Sequence, residues 1–326
     1  MRGSREGIPL LKLCTLLIAA LTALPAAAQQ YPAKPVRLVV PFAPGGGSDF
    51  TARLIAQRLG ERMGQTFLVD NRPGAGGNLG AEQVVKAAAD GYTLLLISAS
   101  YTVNPSVYKL TFDAVNDITP IAQISGGPYV VAVHPSVQAS TLAEFVELAK
   151  KQPDKLAYGS SGNGSVMHVS SEYLMHSAGI RVLHVPYKGT GPALSDTIAG
   201  NVQVILGAVP TTLPHVKAGR LRALAVTTKK RIAAAPEIPT VAESGYPEYE
   251  VTNWHGLVAP KGVPREIVER LNREVNDAIH GAEMKKQLAT DGLEPAGGTP
   301  EHFAAILKDE AARWAKVVKQ AAIKIE

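Results

Sequence analysis

Three stretches of the 326-residue chain collect glycines with hydroxyl and amide side chains, each just beyond a run that reads as a buried strand. The first is Pro41-Phe42-Ala43-Pro44-Gly45-Gly46-Gly47-Ser48-Asp49. The second is Gly159-Ser160-Ser161-Gly162-Asn163-Gly164-Ser165. The third is Val185-Pro186-Tyr187-Lys188-Gly189-Thr190-Gly191-Pro192. Glycine lets the backbone come close to a ligand. The helix that follows each loop offers unpaired N–H groups and the positive end of its dipole. That combination suits a small anion such as a carboxylate, and it needs no arginine. Ser98-Ala99-Ser100, after another strand, could add hydroxyl contacts near the first loop. Each segment also has a plainer reading. Ser48 or Asp49 could cap its own helix, Ser165 and Thr190 could do the same for theirs, Lys188 could be solvated, and Ser98 to Ser100 could be ordinary strand-end polarity.

Other chemistries find little support. Gly74-x-Gly76-Gly77-x-x-Gly80 resembles a dinucleotide fingerprint, but its third glycine falls one place late. There is no Gly-x4-Gly-Lys-Ser/Thr loop and no Gly-x-Ser-x-Gly elbow. A triad of Ser160 or Ser161 with His168 and Asp49 can be imagined, yet each residue has a simpler place in a cap, a helix face or a loop. No His-Glu-x-x-His occurs, and His168 and His176 are eight apart, so no metal site is expected. No cofactor is expected either.

The elements that would hold these segments alternate. Val36 to Val40 reads as a strand, and Thr51 to Met63 has helical spacing at Leu54, Ile55, Leu59 and Met63. Thr66 to Val69, Leu79 to Ala89 and Tyr92 to Ile97 repeat the strand–helix–strand pattern. Two β-rich runs, Ile118 to Ile124 and Tyr129 to Val133, flank Gly126-Gly127-Pro128, read as a crossing between lobes. Thr141-x-x-Glu144 is a capping box opening a helix to Lys151. Strands then follow at Lys155–Tyr158, Val182–Val185, Val202–Leu206 and Leu221–Val226. Helices are expected over Ser165–Ala178, closed by Gly179, over Pro192–Ala199, and near Leu213–Ala218. Val251 to Val258 returns to the first lobe, before a helix from Pro264 to Ile279 and a last one over Glu301–Ala321. This order predicts an α/β fold with largely parallel sheets, whose ligands bind beyond the carboxyl ends of strands.

The 46% hydrophobic content supports a real core, and the length suggests two lobes. A net charge of +5, from 33 Lys and Arg against 28 Asp and Glu, comes without a basic run, and aromatics are only 6%. That argues against a nucleic-acid partner. Arg2, Arg5 and Lys12 precede the apolar run Leu13 to Leu24, Pro25 and Ala26-Ala27-Ala28, which is the pattern of a secretory signal peptide cleaved after Ala28. The run is too short to span a bilayer. Removing 28 of 326 residues leaves 298, with a charge of +3 and without the single cysteine, Cys14. Thiol catalysis and disulfides are thereby excluded from the mature chain.

The same segments carry a family resemblance. The chain resembles the extracytoplasmic solute receptors of tripartite tricarboxylate transporters, the Bug or TctC family. The matching residues are Pro41-Phe42-Ala43-Pro44-Gly45-Gly46 with Asp49 and Arg53, Asn71-Arg72-Pro73-Gly74-Ala75-Gly76-Gly77, Asp90-Gly91-Tyr92, and Tyr158 to Ser165 with His168. They continue through His184-Val185-Pro186-Tyr187-Lys188-Gly189, Leu213-Pro214-His215-Val216, Pro239-Thr240-Val241-Ala242-Glu243, Trp254-His255-Gly256-Leu257 and Trp314-Ala315-Lys316-Val317-Val318.

The resemblance implies a type II periplasmic-binding-protein fold, two α/β lobes joined by crossover strands around a ligand cleft. It implies residues 1–28 as signal peptide, 29–127 with 252–326 as one lobe, and 128–251 as the other. It also implies a periplasmic receptor, not an enzyme, that captures a small organic acid and delivers it to membrane permease subunits. The alternatives are a ligand sensor docking on a sensor kinase and a periplasmic hydrolase. Implied contacts are Ala43, Gly45, Gly46, Gly47, Ser48, Asp49, Ser98 and Ser100 from one lobe. From the other they are Ser160, Ser161, Gly162, Asn163, Gly164, Ser165, Tyr187, Lys188, Gly189 and Thr190. Gln203 joins them as a departure, since the family commonly has an aspartate there. Gly207, where a bulkier residue is common, and His255, where phenylalanine is common, are further departures that bear on pocket size and polarity.

Overall fold

The computed structural model describes residues 31–321 and residue 323. The expected signal peptide and its cleavage point lie outside the described residues. From Lys34 onward the chain builds two sheets.

The first sheet has six strands. They are β1 (Val36–Val40), β2 (Phe67–Asn71), β3 (Thr93–Ser98), β4 (Ile118–Gly127), β10 (Asn253–Pro260) and β11 (Glu294–Gly297), in the order β11-β4-β10-β3-β1-β2. The second has five: β5 (Tyr129–Val133), β6 (Ala157–Ser160), β7 (Leu183–Pro186), β8 (Val204–Ala208) and β9 (Arg222–Val226), in the order β7-β6-β8-β5-β9. The chain crosses at Pro128 and returns between Val226 and Asn253. Helices cover the sheets. They are α1 (Gly47–Met63), α2 (Asn78–Val85), α3 (Ala99–Val103), α4 (Leu142–Lys151), α5 (Val166–Ala178), α6 (Thr190–Ala199), α7 (Val209–Lys217), α8 (Arg265–His280), α9 (Ala282–Thr290) and α10 (Pro300–Gln320).

Local signals explain several helix ends. Thr141 accepts from the Glu144 N–H at 3.1 Å, while the Glu144 carboxylate takes the N–H of Ser140 at 2.6 Å, so the box closes one residue upstream of its usual form. Ser165 caps α5, and Gly179 ends it in the left-handed region at φ 62°. The helix after the first glycine loop begins four residues earlier than expected, at Gly47 instead of Thr51. Gly46 is extended and serves as its cap without a side-chain bond.

The expectation of largely parallel sheets is corrected. Parallel pairing joins β1 to β2 and β3, and β6 to β7 and β8. Antiparallel pairing joins β10 to β3 and β4, β11 to β4, and β5 to β8 and β9. The cause is the double crossing. A chain that enters a lobe from the cleft must run away from it, whereas β1, β3, β6 and β8 run toward it. So the start of β10 pairs with the end of β3, His255 opposite Ser98, and the start of β5 pairs with the end of β8, Tyr129 opposite Ala208. Two outgoing strand ends and two incoming strand starts therefore meet at one place.

Candidate functional site

That place is a cavity between the sheets. It is lined by Phe42, Gly46, Gly47, Ser48 and Asp49 from the first glycine loop and α1, by Ser98 and Ser100, and by Asn253 and His255 from β10. From the other side come Tyr129, Ser161, Thr190 and Ala208. The space open to the centre of a water molecule is about 10 Å³, roughly one water. Anything larger than a water molecule therefore enters only when the lobes part.

Several contacts between the lobes use backbone on at least one side. The Ala43 N–H donates to the Lys188 carbonyl at 2.9 Å. Ser100 Oγ accepts from the Val166 N–H at 3.0 Å, so one lobe's hydroxyl occupies a donor at the start of the other lobe's α5. The Tyr108 hydroxyl donates to the Asn163 carbonyl at 2.5 Å. A Cβ built on Gly191 would stand 2.2 Å from the Pro44 carbonyl oxygen.

The cavity is furnished with neutral donors. Asn253 is 4% exposed. Its Oδ1 accepts from the Tyr129 hydroxyl at 3.0 Å. This turns Nδ2, which has no acceptor among the described residues, toward Gly47, where it lies 3.6 Å from the Cβ position of that residue. The first turn of α1, Gly47 to Asp49, lines the same cavity, and N–H groups there have no acceptor within the helix. Ser98 and Ser161, both buried, line the cavity with hydroxyls that have no partner among the described residues.

The one charged liner is turned aside. Asp49 accepts from the Gly45 N–H at 3.1 Å, Arg53 Nε at 3.0 Å and Asn71 Nδ2 at 3.1 Å. Burial by itself would raise its pKa, but the bonds from Arg53, Gly45 and Asn71 and the Arg53 charge hold it below the ordinary carboxylate value. Asp49 thus ties the glycine loop to α1 and β2 and leaves its charge internally paired. His255 is 1% exposed, and burial lowers its pKa to about 4, so the ring is neutral at pH 7.

The structure sorts the expected contacts. Gly46, Gly47, Ser48, Asp49, Ser98, Ser100, Ser161 and Thr190 come together around the cavity. Ala43, Gly45 and Gly189 lie on the closing surface: a Cβ on Gly189 would approach Ala43 N at 2.8 Å, and one on Gly45 would lie 3.7 Å from the Gly191 Cα. Gly162, Asn163 and Gly164 form the turn behind it, with the Gly162 carbonyl accepting from Ser165 N–H and the Gly164 N–H donating to His168 Nδ1.

Five of the expected contacts turn their side chains elsewhere. Ser160 Oγ is spent on His184 Nε2 at 2.6 Å, and Ser165 Oγ on its own helix. The Tyr187 hydroxyl donates to Asp196 at 2.6 Å, and the exposed Lys188 contributes only its carbonyl. Gln203 precedes β8, at the end of the strand remote from the cavity. Its Oε1 accepts from the Ala157 N–H and its Nε2 donates to the Gly200 carbonyl, both at 3.0 Å. Thr190 lines the cavity but does not cap α6, whose cap is Gly189. The imagined triad does not assemble, because Asp49 belongs to the other lobe's bracing and His168 bonds Gly164. Among the described residues no three His, Cys, Asp or Glu gather as metal ligands.

Tyr129, Ala208 and Asn253 were not foreseen as liners. They arrive at the site through antiparallel strands, whose direction the apolar runs do not reveal. Removing the Tyr129 hydroxyl should free the Asn253 amide to rotate. Tyr129→Phe is expected to weaken ligand binding about three- to tenfold, the worth of one ordinary hydrogen bond, as calorimetric titration would show.

Known proteins share this architecture. A profile of the tripartite tricarboxylate transporter family receptor, TctC, matches residues 51–323. The chain is similar to the BugT protein of Bordetella pertussis, 36% identical over 93% of this chain and 94% of that one. It is similar to a Rhodopseudomonas palustris protein solved with adipate, at TM-score 0.88 and 39% identity, covering 90% of this chain and 99% of that one. MatC of the same organism, solved with bound malate, superposes at TM-score 0.83 with 31% identity, covering 88% and 100%. The chain belongs to the TctC family of tripartite tricarboxylate transporter receptors, periplasmic solute-binding proteins and not enzymes.

Proposed function

We propose that the chain is exported by its N-terminal signal, cleaved after Ala28, and closes in the periplasm on a small organic acid for delivery to membrane permease subunits. The observation that carries this reading is the inter-lobe cavity. It has buried neutral donors from Asn253, Ser98, Ser161 and the α1 backbone, and its one carboxylate, Asp49, is already paired. Such a site stabilises an anion by dipoles held in place beforehand, without a cationic side chain. Adipate and malate in two relatives support an organic acid as the solute class. Residues 29–127 with 252–326 act as one lobe and 128–251 as the other. The two crossings at Pro128 and before Asn253 serve as the hinge, with the Tyr129–Asn253 bond between them. Closure is driven by the ligand's greater contact with the closed form.

The test is titration of ligand-stripped mature protein with mono-, di- and tricarboxylates, followed by calorimetry and thermal melting. One or a few acids should bind saturably and raise the melting temperature. No response across the panel would reject the solute class.

A further inference from the structure

The floor of the cavity carries a hydrogen-bond chain whose direction can be worked out. His255 Nδ1 lies 3.2 Å from Thr51 Oγ1, and Nε2 lies 3.3 Å from Ser48 Oγ. Thr51 is fully buried in α1, and its hydroxyl has no other partner among the described residues. The neutral ring carries one proton, on either nitrogen. If that proton sat on Nδ1, Thr51 Oγ1 would accept from it, and the buried Thr51 proton would be left without an acceptor among the described residues. A buried donor without an acceptor is the costlier arrangement. Thr51 therefore donates to Nδ1, the ring proton rests on Nε2, and Nε2–H donates to Ser48 Oγ. Ser48 lines the cavity and is only partly buried. With its oxygen already accepting from the ring, its own proton is directed into the cavity.

We infer that Thr51 and His255 act as a relay that fixes the Ser48 hydroxyl as a donor toward the ligand, so that this corner offers a proton to an acceptor oxygen of the solute. Thr51 is a positioning residue that never touches the solute. This rests on the reading that the cavity takes an organic acid, and it adds which atom of the pocket is committed to donating. The reverse direction would turn Ser48 lone pairs toward a carboxylate and repel it.

Two measurements test the relay. Long-range ¹H–¹⁵N correlation on the mature protein, with His255 assigned through the loss of its signals in His255→Phe, should show the proton on Nε2; a proton on Nδ1 overturns the inference. For an acid found by titration, Ser48→Ala should weaken binding about tenfold, the scale of one hydrogen bond to a charged group. His255→Phe should weaken it by less, and the double variant should bind no more weakly than Ser48→Ala alone. Additive losses would mean that His255 acts independently of Ser48, and would overturn the relay. If no acid binds the wild type, the proposed function fails, while the tautomer read on the free protein still decides the direction of the chain.

Discussion

Gly191→Ala should leave the protein folded and abolish high-affinity capture. Gly191 is the second residue of α6 and has an ordinary helical backbone, so alanine fits its conformation. By itself that exchange favours the helix by about 0.5–1 kcal/mol. The obstacle lies in the other lobe. The new Cβ would stand 2.2 Å from the Pro44 carbonyl oxygen, 3.1 Å from the Gly45 carbonyl carbon and 3.2 Å from its Cα. All three are backbone atoms, so no rotamer relieves the clash, and it exists only when the lobes are shut. Apparent affinity scales with the population of the competent form. An obstruction of about 3 kcal/mol corresponds to roughly 100-fold, since 1.4 kcal/mol is tenfold. Calorimetry should show at least that loss at an unchanged or slightly higher melting temperature, and small-angle scattering should find the radius of gyration unresponsive to ligand. Tight binding by a folded Gly191→Ala protein would show that the solute is held without this closure.

The second large effect is a loss of stability in mild acid. Three histidines are held neutral by burial: His255 and His168 with pKa lowered to about 4, and His184 to about 3, where the neighbouring His168 adds to the burial. His168 and His184 stack at 3.9 Å between ring centres, and Tyr158 covers His184 at 4.9 Å. Their nitrogens hold the Ser160–Gly164 turn, through Ser160 Oγ and the Gly164 N–H. In the unfolded chain each ring titrates near its ordinary value of about 6.5. Since the folded pKa is depressed, the unfolded state binds more protons as pH falls. The stabilising share is whole above pH 6.5 and drains away down to about pH 4. At pH 5 the buried His255 and His168 each cost about 2 kcal/mol, with His184 acting in the same direction. A domain of this kind has a total stability of about 5–15 kcal/mol. Ligand-free thermal melts between pH 7.5 and 4.5 should therefore fall steeply below pH 6.5. His168→Asn, whose Oδ1 can still accept from Gly164, should flatten that fall. A flat profile in the wild type would contradict the burial of neutral rings.

Local chemistry was readable from the chain where it is decided locally. The Thr141 box, the Ser165 cap, the Gly179 stop and the strand–loop–helix order all depend on a few neighbouring residues. Strand direction does not. Tyr129–Val133 is apolar and buried throughout, and such a run carries no arrow; nor do the few polar residues within Val36–Val40 and Asn253–Pro260 supply one. Hence the antiparallel β5 and β10 went unseen, and with them Tyr129 and Asn253 as liners. The strand β11 and helix α9 were missed as well, being short and weakly patterned. In the site, residue type marked the right loops but not which way each side chain turns. Ser161 faces the cavity, while its neighbour Ser160 faces His184. Gln203 stands out as a departure from the family's usual aspartate, but it lies just before β8, at the end of that strand remote from the cavity.

The shutting surface has a practical corollary. Part of that surface is main-chain against main-chain, Ala43 N–H on the Lys188 carbonyl and Gly191 against Pro44, whereas the cavity presents side chains such as Ser98, Ser161 and Asn253. That main-chain part of the latch and the side chains of the lock are therefore made of different material. The pocket can be rewritten for another acid while the latch stays as it is. A pair of dyes placed across the rim, one on the exposed Lys188 and one near Gly45, would then report any solute the rewritten pocket accepts, through one unchanged mechanical signal.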